Sequence, residues 1–241
     1  MLSCFQCQQC FHRTHCAEKM YNVGKINIKF NIKSLRTDLM KEATPSYHHG
    51  NLHTALLEKA KEHLIEKGPD KISLRALARD VGVSQTAPYR HFPDKTMLLA
   101  ALAAEGFKQL YQQTYDANIK GGNAEERLQN VGCAYVEFAV QNPDLYRLMF
   151  GPMIPADTEL EELDDYGGRS YEVIVQLITD GIESNEFTEG DPLILANSAW
   201  ALVHGVASLV IDNRFACTDG EMTEQHIEQV VRLIGVGLVK R

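Results

Sequence analysis

Between Leu77 and Lys95 the chain reads LARDVGVSQTAPYRHFPDK, and within it Gln85, Thr86, Tyr89, Arg90, His91 and Lys95 stand close together after a glycine. These side chains suit one kind of chemistry. A glutamine amide can make paired hydrogen bonds to the edge of adenine, and a threonine methyl can touch the methyl of thymine. Hydroxyl, imidazole and ammonium groups, here Tyr89, His91 and Lys95, are donors that phosphate oxygens accept from. The set fits a nucleic-acid duplex better than a reaction centre.

Such residues need rigid elements to present them, and the flanking pattern supplies helices. Leu52, Leu56, Ala60 and Leu64 recur every four residues over about 51–67, and Gly68-Pro69 ends that helix. Ser73 is placed to cap a second helix, whose Leu74, Leu77, Ala78 and Val81 share a face; Gly82 breaks it. Ser84 is expected to cap a short third helix that stops near Phe92-Pro93, and Asp94 a long fourth one to about Asp116. Two short helices joined across a glycine form a helix-turn-helix. In that arrangement Gln85 and Thr86 lie at the start of the element that enters the major groove, while Ser73 and Arg75 face the other strand's backbone.

Charge supports this division. The chain of 241 residues has a net charge of -8, yet residues 1–40 hold six Lys and Arg against two acidic residues, and residues 91–241 hold ten against twenty-four. A polyanion would be repelled by the back of the chain and met only by the front.

Beyond residue 96 the pattern stays helical. Leu128, Val131, Tyr135 and Phe138 form one stripe up to Asn142-Pro143; PDLYRLMFGP is a short helix; Val173, Ile174, Leu177 and Ile178 belong to another, which Gly167-Gly168 could interrupt at its start. Pro192 to Ile211 holds no charge at all and is long enough to span a bilayer. Asn197, His204 and Ser208 within it, and Asp191 and Asp212 at its ends, argue against lipid. Two apolar faces on one helix suit a core on one side and a second subunit on the other. Val203, Val206, Ile227, Val231, Ile234 and Leu238 are the candidate dimer contacts, from this helix and the last one. Phe107, Tyr111, Tyr135, Phe138, Tyr146, Met149, Phe150, Trp200 and His204 are aromatic, soft or polarisable, and are the candidates for lining a pocket. They would suit a hydrophobic small molecule, with His204 as its polar anchor.

Four cysteines, Cys4, Cys7, Cys10 and Cys16, lie near His12 and His15 in a spacing that resembles a zinc site. The stronger reading takes residues 1–39 as a mis-assigned start or a disordered tail, with Met40 opening the native chain and no bound metal or cofactor. With no long apolar run at the front and no disulfide framework, a reducing, cytoplasmic setting is expected. Enzyme signatures are missing: there is no glycine-rich phosphate loop, no G-x-S-x-G elbow and no H-E-x-x-H.

YHHGNLHTALLEKA, SLRALARDVGVSQTAPYRHFPDK and YRLMFG (146–151) resemble the TetR family of transcription regulators, and WALVHG (200–205) resembles the C-terminal signature of one subgroup. The likeness runs over about 44–240. It implies an all-α homodimer, with a three-helix DNA-binding domain at 44–95 and a ligand-binding and dimerisation domain at 96–241. By position Ser84, Gln85, Thr86, Tyr89, His91 and Lys95 match the family's DNA-facing residues. The function implied is repression of transcription from a palindromic double-stranded operator, relieved by a hydrophobic effector. The alternative is a helical ligand-binding dimer that has lost DNA binding.

Overall fold

The computed structural model describes residues 20–23, 26–29, 50–215 and 224–240. The cysteine-rich run and Met40 lie outside the described residues. Met20–Val23 and Ile26–Lys29 pair as an antiparallel hairpin, with Met20 opposite Lys29 and Val23 opposite Ile26. The sequence reading expected no strand. Its signal is the β-branched pair Ile26 and Ile28 alternating with Asn27 and Lys29.

From residue 50 the chain is helical, as expected: α1 Gly50–Lys67, α2 Leu74–Val81, α3 Lys95–Ile119, α4 Ala124–Gln141, α5 Pro143–Phe150, α6 Glu161–Glu183, α7 Pro192–Ile211 and α8 Glu224–Val236. Their ends follow from local chemistry. Ser73 accepts a hydrogen bond from the Ala76 N–H at 3.2 Å, Asp94 one from Met97 at 2.9 Å, and Asp191 one from Leu193 at 2.9 Å. Asn123 and Glu126 close a reciprocal capping box on α4. Gly82 takes φ 79°, the left-handed turn that lets Val83 N–H reach back to the Ala78 carbonyl at 2.9 Å.

Two expectations need correction. Gly167-Gly168 does not interrupt α6, which runs through both; a helix held by packing on α3 and α7 tolerates the lost propensity. Leu238 lies beyond α8, in a tail whose Val239 bridges Phe187.

The core runs without a break from the first domain into the second. Leu56, Leu64, Leu77, Phe92 and Leu98 join Phe107, Leu110 and Tyr146 in one buried cluster. α3 makes the connection, since it starts beside the helix-turn-helix and packs further along on α4, α5 and α6. Helix α7 has the length and composition to cross a membrane. Here it packs on α4, α6 and α8, and its Asn197 accepts a hydrogen bond from the Tyr171 hydroxyl at 2.7 Å.

Candidate nucleic-acid interface and apolar cavity

At one end of the molecule the turn after α2 presents Ser84, Gln85 and Thr86 to solvent, with Tyr89 and Arg90 exposed just beyond. The third element is a single 3-10 turn, Ala87–Arg90, rather than the α-helix expected. Ser84 does not cap it through its side chain. Its carbonyl accepts the Ala87 N–H at 3.0 Å, while its Oγ lies 3.3 Å from Thr86 Oγ1. Pro88 is buried and seats the turn on the domain core. Ser73 and Arg75 are exposed at the start of α2, as the sequence requires of them.

His91 is half-buried, edge-on to His53 at 6.0 Å between ring centres, and His53 in turn packs on Phe92 at 4.7 Å. Burial, then the neighbouring His91, pull the His53 pKa below 6.5. Lys95 is not a free cation: its Nζ donates to the Asp70 carbonyl at 2.8 Å, clasping the 69–71 turn to the start of α3. An ammonium has two more hydrogens to offer a phosphate.

Sequence reasoning missed His63. Its side chain is 3% exposed, and its Nε2 lies 2.6 Å from Asp80 Oδ2 and 3.1 Å from Lys67 Nζ, tying α1 to α2. The Lys67 partner, four residues on, is legible as a helical neighbour. Asp80 is not, because that contact depends on how α1 and α2 cross.

In the helical body an apolar cavity lies among α3, α4, α5, α6, α7 and α8. The space between its walls is about 800 Å³, including a mouth open to solvent. Of the nine pocket candidates, Phe107, Tyr135, Phe150 and Trp200 line it. Tyr146 and His204 stand behind Tyr135: His204 Nδ1 is 2.7 Å from the Tyr146 hydroxyl and 3.0 Å from that of Tyr135, and the two hydroxyls are 3.1 Å apart. Burial holds both phenols well above their ordinary pKa and pulls His204 below 6.5, so the cluster is neutral near neutral pH. Phe138 and Met149 are core, with Met149 seated against Gly106. Tyr111 is half-buried beside Tyr115 and is not part of the wall.

The wall also contains residues that the sequence did not flag. Thr114 and Ser170 lie there, each donating its hydroxyl to a carbonyl of its own helix at 2.8 Å, together with Gly132, Gly167, Tyr171 and Ile234. Gly167 could have been found: a glycine inside an otherwise helical pattern marks a place where a side chain is unwanted.

The six dimer candidates lie as follows within the single chain. Val203, Val206, Val231 and Leu238 are buried inside the chain's own core, Ile227 packs against that core, and Ile234 lines the cavity. The same two helices turn other residues outward: Ile194, Leu202 and Leu209 on α7, Leu233 and Val236 on α8. Choosing between two adjoining stripes requires knowing where α4 and α6 lie, and periodicity alone does not say.

A capped helix followed by a turn that exposes Gln85 and Thr86, set on a helical body with an apolar cavity, is the fold of a helix-turn-helix regulator. Residues 56–102 match the family of bacterial regulatory proteins described as tetR, and residues 128–234 match the tetracyclin repressor-like C-terminal domain. The chain belongs to the tetR family. Relatives include the nucleoid occlusion factor SlmA of Marinomonas sp. (strain MWYL1), 30% identical over 42% of this chain and 52% of that protein. YobS of Bacillus subtilis (strain 168), an HTH-type transcriptional regulator, is 24% identical over 66% of this chain and 79% of its own. The chain thus spans about half the length of the SlmA relative it matches. A solved protein of unknown function from Rhodococcus sp. RHA1 is 31% identical, with a TM-score of 0.70 over 82% of this chain and 100% of that one. Bacillus subtilis FadR, solved with stearoyl-CoA, shares the fold at 18% identity and a TM-score of 0.61 over 77% and 98% of the two chains.

Proposed function

We propose that this regulator is a cytoplasmic homodimeric repressor that holds a palindromic operator and releases it when a hydrophobic small molecule enters the cavity. The observation that carries this reading is the separation of two surfaces: Gln85 and Thr86 stand exposed on the turn, while an apolar cavity lies in the helical body. In this reading Gln85 and Thr86 read base edges, and Ser73, Arg75, Ser84, Tyr89, His91 and Lys95 hold phosphates. The outward residues Leu202, Leu209, Leu233 and Val236 form a four-helix contact with a second copy. Gly205 favours close approach there, since a Cβ added to it would meet nothing within 4 Å. Two-fold symmetry then asks for a two-fold operator. Trp200 on the cavity wall and His204 behind it support the reading that the W-x-x-x-H-G segment marks a subgroup that senses through this helix. A ligand-binding dimer without DNA binding is disfavoured, because the donors on the turn face solvent.

The test is selection of bound duplexes from a random pool. A palindrome with half-sites about 10 base pairs apart, or a multiple of that, is expected; recovery of no shared motif would refute the proposal.

A further inference from the structure

Resting on the reading of the cavity as an effector site, we infer that it takes an uncharged molecule of one or two rings carrying an acceptor oxygen, and not an anion such as a fatty acid or an acyl-CoA. Three observations carry this. Among the described residues, no Asp, Glu, Lys, Arg or His side chain is part of the wall. An ionised guest would lose its hydration and meet no counter-charge, which costs several kcal/mol per ion. Size is the second. The space open to the centres of water molecules is about 60 Å³. At ~10–15 Å³ each that holds about four to six waters, or ~120–180 Å³ of liquid volume. A small ring system fits that enclosed space, whereas a long acyl chain would have to extend out through the mouth.

The third is the distribution of protons. The hydroxyls of Thr114, Ser170 and Tyr171 are already bonded to the protein. Tyr135 differs. Its oxygen accepts from the Tyr146 hydroxyl, which leaves its own proton to give. With the Tyr146 proton used in this way, His204 Nδ1 either donates to the Tyr146 oxygen at 2.7 Å, which leaves the Tyr135 proton to a guest, or itself takes that proton at 3.0 Å. A carbonyl or ether oxygen in the cavity would accept it.

Gly167 argues that the space is kept open. A Cβ added there would meet nothing within 4 Å, so packing does not demand the glycine, although it weakens α6.

Four guests built on one ring test the inference: cyclohexanone, methylcyclohexane, cyclohexanecarboxylate and cyclohexylammonium. Each is titrated calorimetrically into the full-length protein, with the emission of Trp200, the single tryptophan, as the local reporter. Cyclohexanone should bind at least about 30-fold tighter than either ion, and about threefold to tenfold tighter than methylcyclohexane. Tyr135→Phe should remove the advantage over methylcyclohexane while leaving the discrimination against ions. Gly167→Leu, which fills the space, should abolish all binding while the melting temperature holds or rises. Equal or tighter binding of the carboxylate would overturn the charge inference and leave the effector site standing. A ketone advantage that survives in Tyr135→Phe would overturn the role of that hydroxyl. Binding unchanged in Gly167→Leu, or silence from all the guests, would overturn the site itself.

Discussion

Two glycines on the cavity wall should respond to the same substitution with opposite signs. Both Gly167 in α6 and Gly132 in α4 sit inside helices, where alanine is favoured over glycine by about 1 kcal/mol. At Gly167 the new methyl meets open space, so the helix term stands alone and stability should rise by about 1 kcal/mol. In a domain of this size that raises Tm by about 2–4 °C. At Gly132 the ideal Cβ lies 2.6 Å from Val231 Cγ1, well inside the ~3.5–4.0 Å of ordinary carbon contact. Val231 is buried and β-branched, so it cannot swing aside. Overpacking of this kind costs about 1–3 kcal/mol, and the helix gain offsets only part of it, for a net loss of up to about 2 kcal/mol. Thermal unfolding of Gly167→Ala and Gly132→Ala, at one fixed protein concentration because a dimer's Tm depends on it, measures both. A fall in Tm for Gly167→Ala would show that the space beside α6 is not there. The same sign for both variants would refute the assignment of the α4–α8 contact.

Other changes separate the remaining roles. Lys95→Ala should weaken binding to all duplexes and lower the salt slope by about one, with some loss of stability because the Asp70 carbonyl also loses its donor. Gln85→Ala should instead relax preference at one base position; equal loss on every duplex would refute its part in base reading. Leu233→Glu, on a side chain 69% exposed in the single chain, should leave the fold intact, yield monomers in sedimentation and abolish operator binding; a dimer that survives would remove α8 from the contact. Burial keeps the His204 pKa below 6.5, so as pH falls through that value the unfolded chain takes up a proton that the folded chain refuses. Stability should therefore fall towards acid, with a slope of at most about 1.4 kcal/mol per pH unit from this group, and His204→Gln should flatten it. An unchanged slope in the variant would refute that assignment.

What could be read in advance was local. Ser73, Asp94 and Asp191 act on N–H groups two or three residues away, and Gly82 on its own backbone, so spacing sufficed to place α2, α3 and the turn between them. The third element failed because a 3-10 turn and a short α-helix share the same punctuation, and Pro88 suits both. The polar cluster could not be read at all. Tyr135 and His204 are 69 residues apart in sequence, and only the packing of α4 on α7 brings them within 3.0 Å. The dimer candidates include residues that the chain itself covers, for a related reason. α7 carries no charge and two adjoining apolar stripes, so its pattern marks two buried faces without saying which one the chain itself covers. In the same way Phe107, Tyr135 and Trp200 stood out by type, whereas Gly132 and Thr114 reached the wall through geometry alone.

The arrangement of α7 and α8 also sets a quantitative condition on regulation. Val203 and Ile234 line the cavity, while their neighbours Leu202 and Leu233 face outward. A guest that pushes on the inner pair must turn the outer pair, and with it the proposed dimer contact that spaces the two DNA-reading turns. The guest can shift this equilibrium only by as much as its affinities for the two states differ. A coupling of about 1–3 kcal/mol would weaken operator binding about 5- to 150-fold. By reciprocity the operator must weaken guest binding by the same factor. Cyclohexanone titrated into the free protein and into the operator complex should therefore give dissociation constants whose ratio equals the ratio of operator affinities with and without the ketone. Equal constants in the two titrations, with the ketone seated in the cavity, would show that the cavity binds without controlling DNA. The outward turn of α7 and α8 would then serve only to hold the dimer together.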